Sequence, residues 1–240
     1  MADHIHTIPV LDALREPGRC AFCAMYDMLE KAAIQFIMSP AYMEDDVRRE
    51  TNRVGFCQRH LGQMYAAQNR LGLALMLHTH LQKINADMAK LAKGSAASWF
   101  GKDAAGPTAK LGEHFTKVND ACYVCNRVDG TFEKYIDTFF HLWGMGGDEA
   151  DLIKAQKGFC LPHFAALCTA ASKLGKGKRD KFMEQFVPRQ LEHMQTLADD
   201  LEWFTQKFDH RNAELPWNNA KDALIRTMAL LGGDTGGKND

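Results

Sequence analysis

Two half-motifs occur twice in this chain, in the same order and at almost the same distance. Cys20-x-x-Cys23 is followed after 33 intervening residues by Cys57-x-x-His60, and Cys122-x-x-Cys125 after 34 by Cys160-x-x-His163. Six of the seven cysteines thus fall into a doubled Cys3His pattern. Cysteine and histidine in this ratio are metal donors, and the doubling implies an internal duplication. The pattern constrains the fold because a repeated ligand set demands repeated backbone elements to carry it.

Those elements read as helices. Phe22, Met25, Leu29, Ala33 and Phe36 recur at three- and four-residue steps, as do Val124, Val128, Phe132, Tyr135 and Phe139. Such stripes predict two matching helices that open at the Cys-x-x-Cys motifs. A short acidic helix comes after each. In the first repeat Ser39 is its expected N-cap and Pro40 its first residue; in the second, Asp148 caps Glu149 to Gln156. Gly55-Phe56-Cys57 and Gly158-Phe159-Cys160 then stop these helices, glycine being the residue that enters the left-handed conformation cheaply. A long helix with the stripe Leu71, Leu75, His78 and Leu81 is predicted from Cys57 to about Lys93. In the second repeat the corresponding helix stops near Gly175, a new one runs from about Arg179 to Phe208 with Pro188 inside it, and a last one spans about Asn219 to Leu231. No alternating β pattern of useful length is present. The expected fold is all-α and internally duplicated: residues 1–93 form the first metal-binding repeat, 94–118 a linker, 119–231 the second repeat with the C-terminal helices, and 232–240 a disordered tail.

Residues three apart share a face of a helix's first turn, so both donors of each half-motif can aim at one ion. The helix start favours thiolate over thiol through its free N–H groups and positive dipole end. Two such starts supply four donors, the closed shell of a structural site. Zinc is the expected ion, two per chain, with an iron–sulfur cluster as the chemical alternative. The ligands are Cys20, Cys23, Cys57, His60, Cys122, Cys125, Cys160 and His163. Duplication of a self-contained unit favours pairing within each repeat; spacing leaves open the alternative that joins Cys20 and Cys23 to Cys160 and His163.

Other groups carry less. His78 falls on the apolar stripe and reads as a hydrogen-bonded core histidine, with His80 on another face. Glu44, Asp45, Asp46 and Glu50 read as a solvated acidic face, Asp45 pairing with Arg49. Lys173, Lys176, Lys178, Arg179 and Lys181 read as a solvated basic loop. Cys168 reads as a small buried core residue beside Phe164 and Leu167. The formal net charge of -1 gives no general drive toward nucleic acid or anionic membrane. The first 19 residues lack the apolar core of a signal peptide, and no apolar run approaches the roughly 20 residues that span a bilayer. A cytoplasmic location is therefore expected, where paired cysteines hold metal more often than disulfides. Neither a phosphate-binding glycine loop nor a nucleophile elbow occurs.

The chain resembles an uncharacterised family of cytoplasmic proteins from anaerobic Gram-positive bacteria. The resemblance rests on Ser39 to Val47, Asn69 to His80, Trp203-Phe204, Lys207-Phe208-Asp209 and Arg211-Asn212, together with the paired motifs. It implies a duplicated, metal-binding helical fold and no particular activity. It also singles out Glu44, Asp45, Asp46, Arg70, His80, Asp209 and Arg211 as polar residues that a functional surface would bring together, or that interhelical salt bridges would use. The reading is a zinc-binding helical protein that acts as a binding or regulatory module rather than an enzyme; the alternative is an iron–sulfur or zinc metalloenzyme. Its expected partners are proteins or small molecules, not nucleic acid or membrane.

Overall fold

The computed structural model describes residues 4–96 and 106–233. Among these residues there are eleven α-helices and no strand. They are α1 (His4–Arg15), α2 (Ala21–Met38), α3 (Asp45–Val54), α4 (Gln58–Ala66), α5 (Arg70–Ala96), α6 (Gly106–Asp120), α7 (Tyr123–Met145), α8 (Gly147–Lys154), α9 (Leu161–Ser172), α10 (Lys176–Gln206) and α11 (Ala223–Gly232). The all-α expectation holds. No described helix is long and apolar enough to cross a membrane.

The chain divides into two compact units that are not its two sequence halves. One comprises Met1–Met28 with Thr131–Asp240, the other Leu29–Gly130. The boundaries fall inside α2 and α7. Much of the expected linker, 94–118, is the helix α6, and its first three residues end α5; residues 97–105 and most of the expected tail lie outside the described residues.

The stripes on α2 and α7 are real. Phe22, Met25 and Ala33 are buried, and so are Val124, Val128, Phe132, Tyr135 and Phe139. In the discontinuous unit an aromatic cluster forms the core. Phe22, Phe139 and Phe182 are almost fully enclosed, and Phe22 meets Phe139 and Phe159 edge-on at 5.2 and 5.5 Å between centroids. Burial of each such ring stabilises the fold by about 1.5–3 kcal/mol, and each favourable ring pair adds about 0.5–1.5 kcal/mol. The Leu29–Gly130 unit has an aliphatic and methionine core instead: Ile37, Met64 and Met76 are fully buried. At the C-terminal end of α10, the buried Lys207 donates to the carbonyls of Asn212, Ala213 and Leu215 at 2.6–2.8 Å. It thereby satisfies the loop that leads toward α11.

Several boundaries depart from expectation. Ser39 does cap, accepting from the Ala41 N–H, but the element it caps is a four-residue 3₁₀ turn, Pro40–Met43, and α3 starts afresh at Asp45. The helix expected from Cys57 to Lys93 is broken between α4 and α5, where Gln68 takes a φ of 68°. That break rotates α5 relative to the expected stripe. Leu71 and Leu81 are largely exposed, whereas Leu73 and Met76 are buried. On α11 the same happens: Leu224, Met228 and Leu231 face out, while Ala223 and Leu230 face in.

Candidate metal centres

The eight predicted donors gather into two groups of four. One is Cys20, Cys23, Cys160 and His163; the other is Cys57, His60, Cys122 and Cys125. Within each group, one donor atom from every residue lies within 4.8 Å of the others. Each group therefore joins the Cys-x-x-Cys of one repeat to the Cys-x-x-His of the other. The preferred pairing within repeats is wrong. The physical reason is the length of α2 and α7. Each is an unbroken helix that starts in one unit and ends in the other, so the next Cys-x-x-His in the chain belongs to the unit that its own Cys-x-x-Cys does not.

In the Cys20 cluster, Cys20 and Cys23 flank the first turn of α2, and Cys160 is the N-cap of α9, with His163 in its first turn. The His163 Nδ1 lies 3.1 Å from the Cys160 sulfur, 3.4 Å from Cys23 and 3.8 Å from Cys20. The Cys23 and Cys160 sulfurs are 3.6 Å apart. The imidazole is surrounded by rings: Phe132 at 5.2 Å, Phe22 at 6.0 Å and Tyr26 at 6.5 Å.

In the Cys57 cluster, Cys57 is the N-cap of α4, and Cys122 and Cys125 flank the start of α7. The His60 Nδ1 is 3.2 Å from Cys57, 3.2 Å from Cys122 and 3.4 Å from Cys125. The Cys57 and Cys125 sulfurs are 3.9 Å apart. Here the far side of the imidazole is polar. His60 Nε2 is 2.9 Å from the buried Glu30 carboxylate, which also accepts from Gln63 at 2.8 Å and pairs with Arg59 at 2.7 Å. A carboxylate on the outer nitrogen fixes the tautomer that leaves Nδ1 free for a metal.

The electrostatics favour one deprotonated sulfur at each place, Cys20 and Cys122. Hydrogen bonds from Cys160 and Cys23 pull the Cys20 thiol far below its ordinary range despite burial. Burial pushes Cys122 up, but the His60 hydrogen bond and the N–H groups of Cys125 and Cys57 outweigh it and bring the thiol to about 6. Burial and the neighbouring Cys122 and Cys57 raise Cys125. Burial disfavours the charged imidazole of His60 and of His163, but the adjacent sulfurs, joined at His60 by the Glu30 hydrogen bond, outweigh it and raise both to about 9. Burial opposes ionisation of Glu30 too, yet the Gln63 and His60 hydrogen bonds and the Arg59 charge hold its carboxyl below the usual value.

Each loop before a Cys-x-x-His is held by a long helix. A Cβ on Gly55 would clash with the His80 ring, and a Cβ on Gly158 would sit 2.7 Å from the His193 ring. Gly55 ends α3 at φ 68° and ψ -151°, a conformation for glycine. Gly158 does not share it. The helix α8 ends at Lys154, and Gly158 is required by the close approach of His193 rather than by a turn. The Gln190 side chain pairs with both backbone groups of Phe159 at 2.9 Å, and the Tyr123 N–H donates to the Gly55 carbonyl at 2.9 Å.

The chain belongs to a family of unknown function. Its description is DUF6062, and the match covers residues 1–238. No curated protein matches the chain, and no solved structure does. Membership agrees with the family resemblance drawn from the motifs and adds no activity to it.

The remaining candidates stand apart from the two clusters. His78 is exposed, contrary to expectation; His80 is the packed one, its Nδ1 2.9 Å from the Asn52 carbonyl. Glu44, Asp45 and Asp46 are exposed, and Glu50 pairs with Arg53. Arg70 covers the Tyr65 ring at 3.5 Å, while Asp209 and Arg211 pair with each other. Arg70, His80, Asp209 and Arg211 are thus spent on local contacts, and the acidic residues 44–46 face solvent. Cys168 is half-buried and belongs to neither cluster. Sequence reasoning misses Glu30, Gln190 and His193. Glu30 has a signal, an acid on the buried face of α2 between Tyr26 and Ile37. Gln190 and His193 have none.

Proposed function

We propose that each cluster is a structural zinc site and that the protein is a zinc-stabilised binding or regulatory module. The carrying observation is the closed donor set: three sulfurs and one imidazole nitrogen at each place, all mutually within 4.8 Å. A tetrahedral zinc ion with Zn–S near 2.3 Å and Zn–N of about 2.0–2.1 Å separates its donors by roughly 3.5–3.8 Å. The contacts of 3.1–3.9 Å in both clusters agree with that spacing. Four protein donors leave no open coordination position for a substrate, which favours a structural over a catalytic role.

The setting is a bacterial cytoplasm. None of the seven cysteines is in a disulfide, which suits a reducing compartment. The module's partner is a protein or a small molecule. Elemental analysis with an absorption spectrum on untagged, anaerobically prepared protein tests the reading. Two equivalents of zinc in a colourless sample support it. Brown protein with broad absorbance at about 400 nm would place iron–sulfur clusters there instead, and fewer than one equivalent of any metal in folded protein would remove the metal reading altogether.

A further inference from the structure

A cleft of about 1160 Å³ opens beside the Cys20 cluster, with Cys20 and Cys160 in its wall. All its lining residues belong to the discontinuous unit. The floor is apolar: Phe159 and Leu197 are nearly fully buried, and Ile225 and Leu230 of α11 extend it. Small-molecule sites have this form, a concave apolar surface with a few polar groups that fix orientation.

The placement of charge decides what kind of molecule fits. Five basic side chains line the cleft against three acidic ones. Arg226 is neutralised by Asp200 and Asp222, Arg19 by Asp27, and Arg15 by Asp12. Lys157 and Lys221 have no acidic partner among the described residues, while Glu16 and the second carboxylate beside Arg226 offset them in the sum, so what favours an anion is the placement of two unpaired lysines and not a net positive charge. The remaining polar group is His193. Its half-buried ring makes no hydrogen bond among the described residues, and burial together with Lys157 and Arg226 favours its neutral form. A neutral imidazole in a cleft can donate to an anion or accept from a hydroxyl without carrying charge of its own.

We propose that this cleft binds a small amphipathic organic anion, its apolar body against the exposed Ile225 of α11 and its charged group met by Lys157 or Lys221. The site is built by the fold whichever metal the neighbouring cluster holds. His193 ties it to that cluster, because the same ring packs on Gly158, two residues before Cys160.

Two fluorescent probes of similar shape test this on the full-length, metal-loaded protein: anilinonaphthalene sulfonate, which is anionic, and N-phenylnaphthylamine, which is not. Saturable binding of the sulfonate at one site per chain is expected. The Lys157→Ala/Lys221→Ala double variant weakens it by about fivefold or more and leaves the uncharged probe unchanged. Ile225→Asp weakens both. The variants change exposed residues, and their metal content, measured on the same samples, stays at the wild-type value. Absence of saturable sulfonate binding overturns the proposal. So does sulfonate binding that the lysine substitutions leave intact, or an equal loss of both probes in the lysine variant. Because metal content is read separately, failure here leaves the metal-site reading untouched.

Discussion

The two clusters use the same four donors, the same histidine nitrogen and the same helix starts, yet they surround the histidine in opposite ways. His60 backs onto Glu30, Gln63 and Arg59; His163 backs onto Phe132, Phe22 and Tyr26. The difference traces to one position of the duplication. Glu30 and Phe132 each stand ten residues after the first cysteine of a Cys-x-x-Cys. At one site that position orients the imidazole through a hydrogen bond, and at the other through packing. A duplicated unit can thus keep its ligands while its surroundings diverge, one toward a polar clamp and the other toward the aromatic core.

Loss of both ions is expected to have the largest effect. In small zinc peptides the coupled binding energy is on the order of 10–16 kcal/mol, and the apolar cores here reduce its share of global stability. Chelation should lower hydrogen-exchange protection first in Leu29–Gly130, which lacks the Phe22–Phe139–Phe182 core. Equal loss in both units would mean that the ring cluster does not compensate. Next come the single ligands. Cys57→Ser should cost about one metal equivalent and make Cys122 and Cys125 reactive to iodoacetamide while Cys20 and Cys23 stay protected. Cys160→Ser should do the reverse. Exposure of Cys20 in the Cys57 variant would restore the repeat-internal pairing.

The outer shells should separate by readout. Phe132→Ala is expected to lower stability by about 3–5 kcal/mol in denaturant melts with metal content retained. Glu30→Gln should cost about 10–100-fold in metal affinity at the Cys57 cluster alone, read by competition with a chromogenic chelator. If Phe132→Ala lowers affinity as much as Glu30→Gln does, the contrast between the shells is wrong.

The smallest effects belong to the glycines. Gly158→Ala should destabilise by about 1–3 kcal/mol by overpacking against His193, and His193→Ala should relieve most of that. At Gly55 the corresponding rescue by His80→Ala should be incomplete, because alanine would still hold a glycine-only conformation. Thermal melts of the four variants and two double variants measure this.

Much of this is legible in the residues. The helix openings at Cys20 and Cys122 come from apolar periodicity, which depends only on neighbours three and four apart. Gly55 is recognisable as a helix stop, because its positive φ is a local property. Gly158 invites the same reading by analogy and does not fit it, since glycine is required there by a ring that a residue 35 positions later delivers. The buried stripe on α5 differs from the periodic one because Gln68 breaks the helix, and a single break resets which face turns inward.

The amino-acid sequence by itself determined the helical class, the duplication and which eight cysteines and histidines cluster, because each rests on residue type and short-range spacing. Which donors meet was decided only in three dimensions. Near-equal gaps of 33 and 34 residues are satisfied by either pairing. The choice falls to α2 and α7, each of which begins in one unit and ends in the other, and to which core each stretch of chain joins. The same long-range packing placed Glu30 behind one histidine and Phe132 behind the other, and neither contact leaves a trace in local pattern.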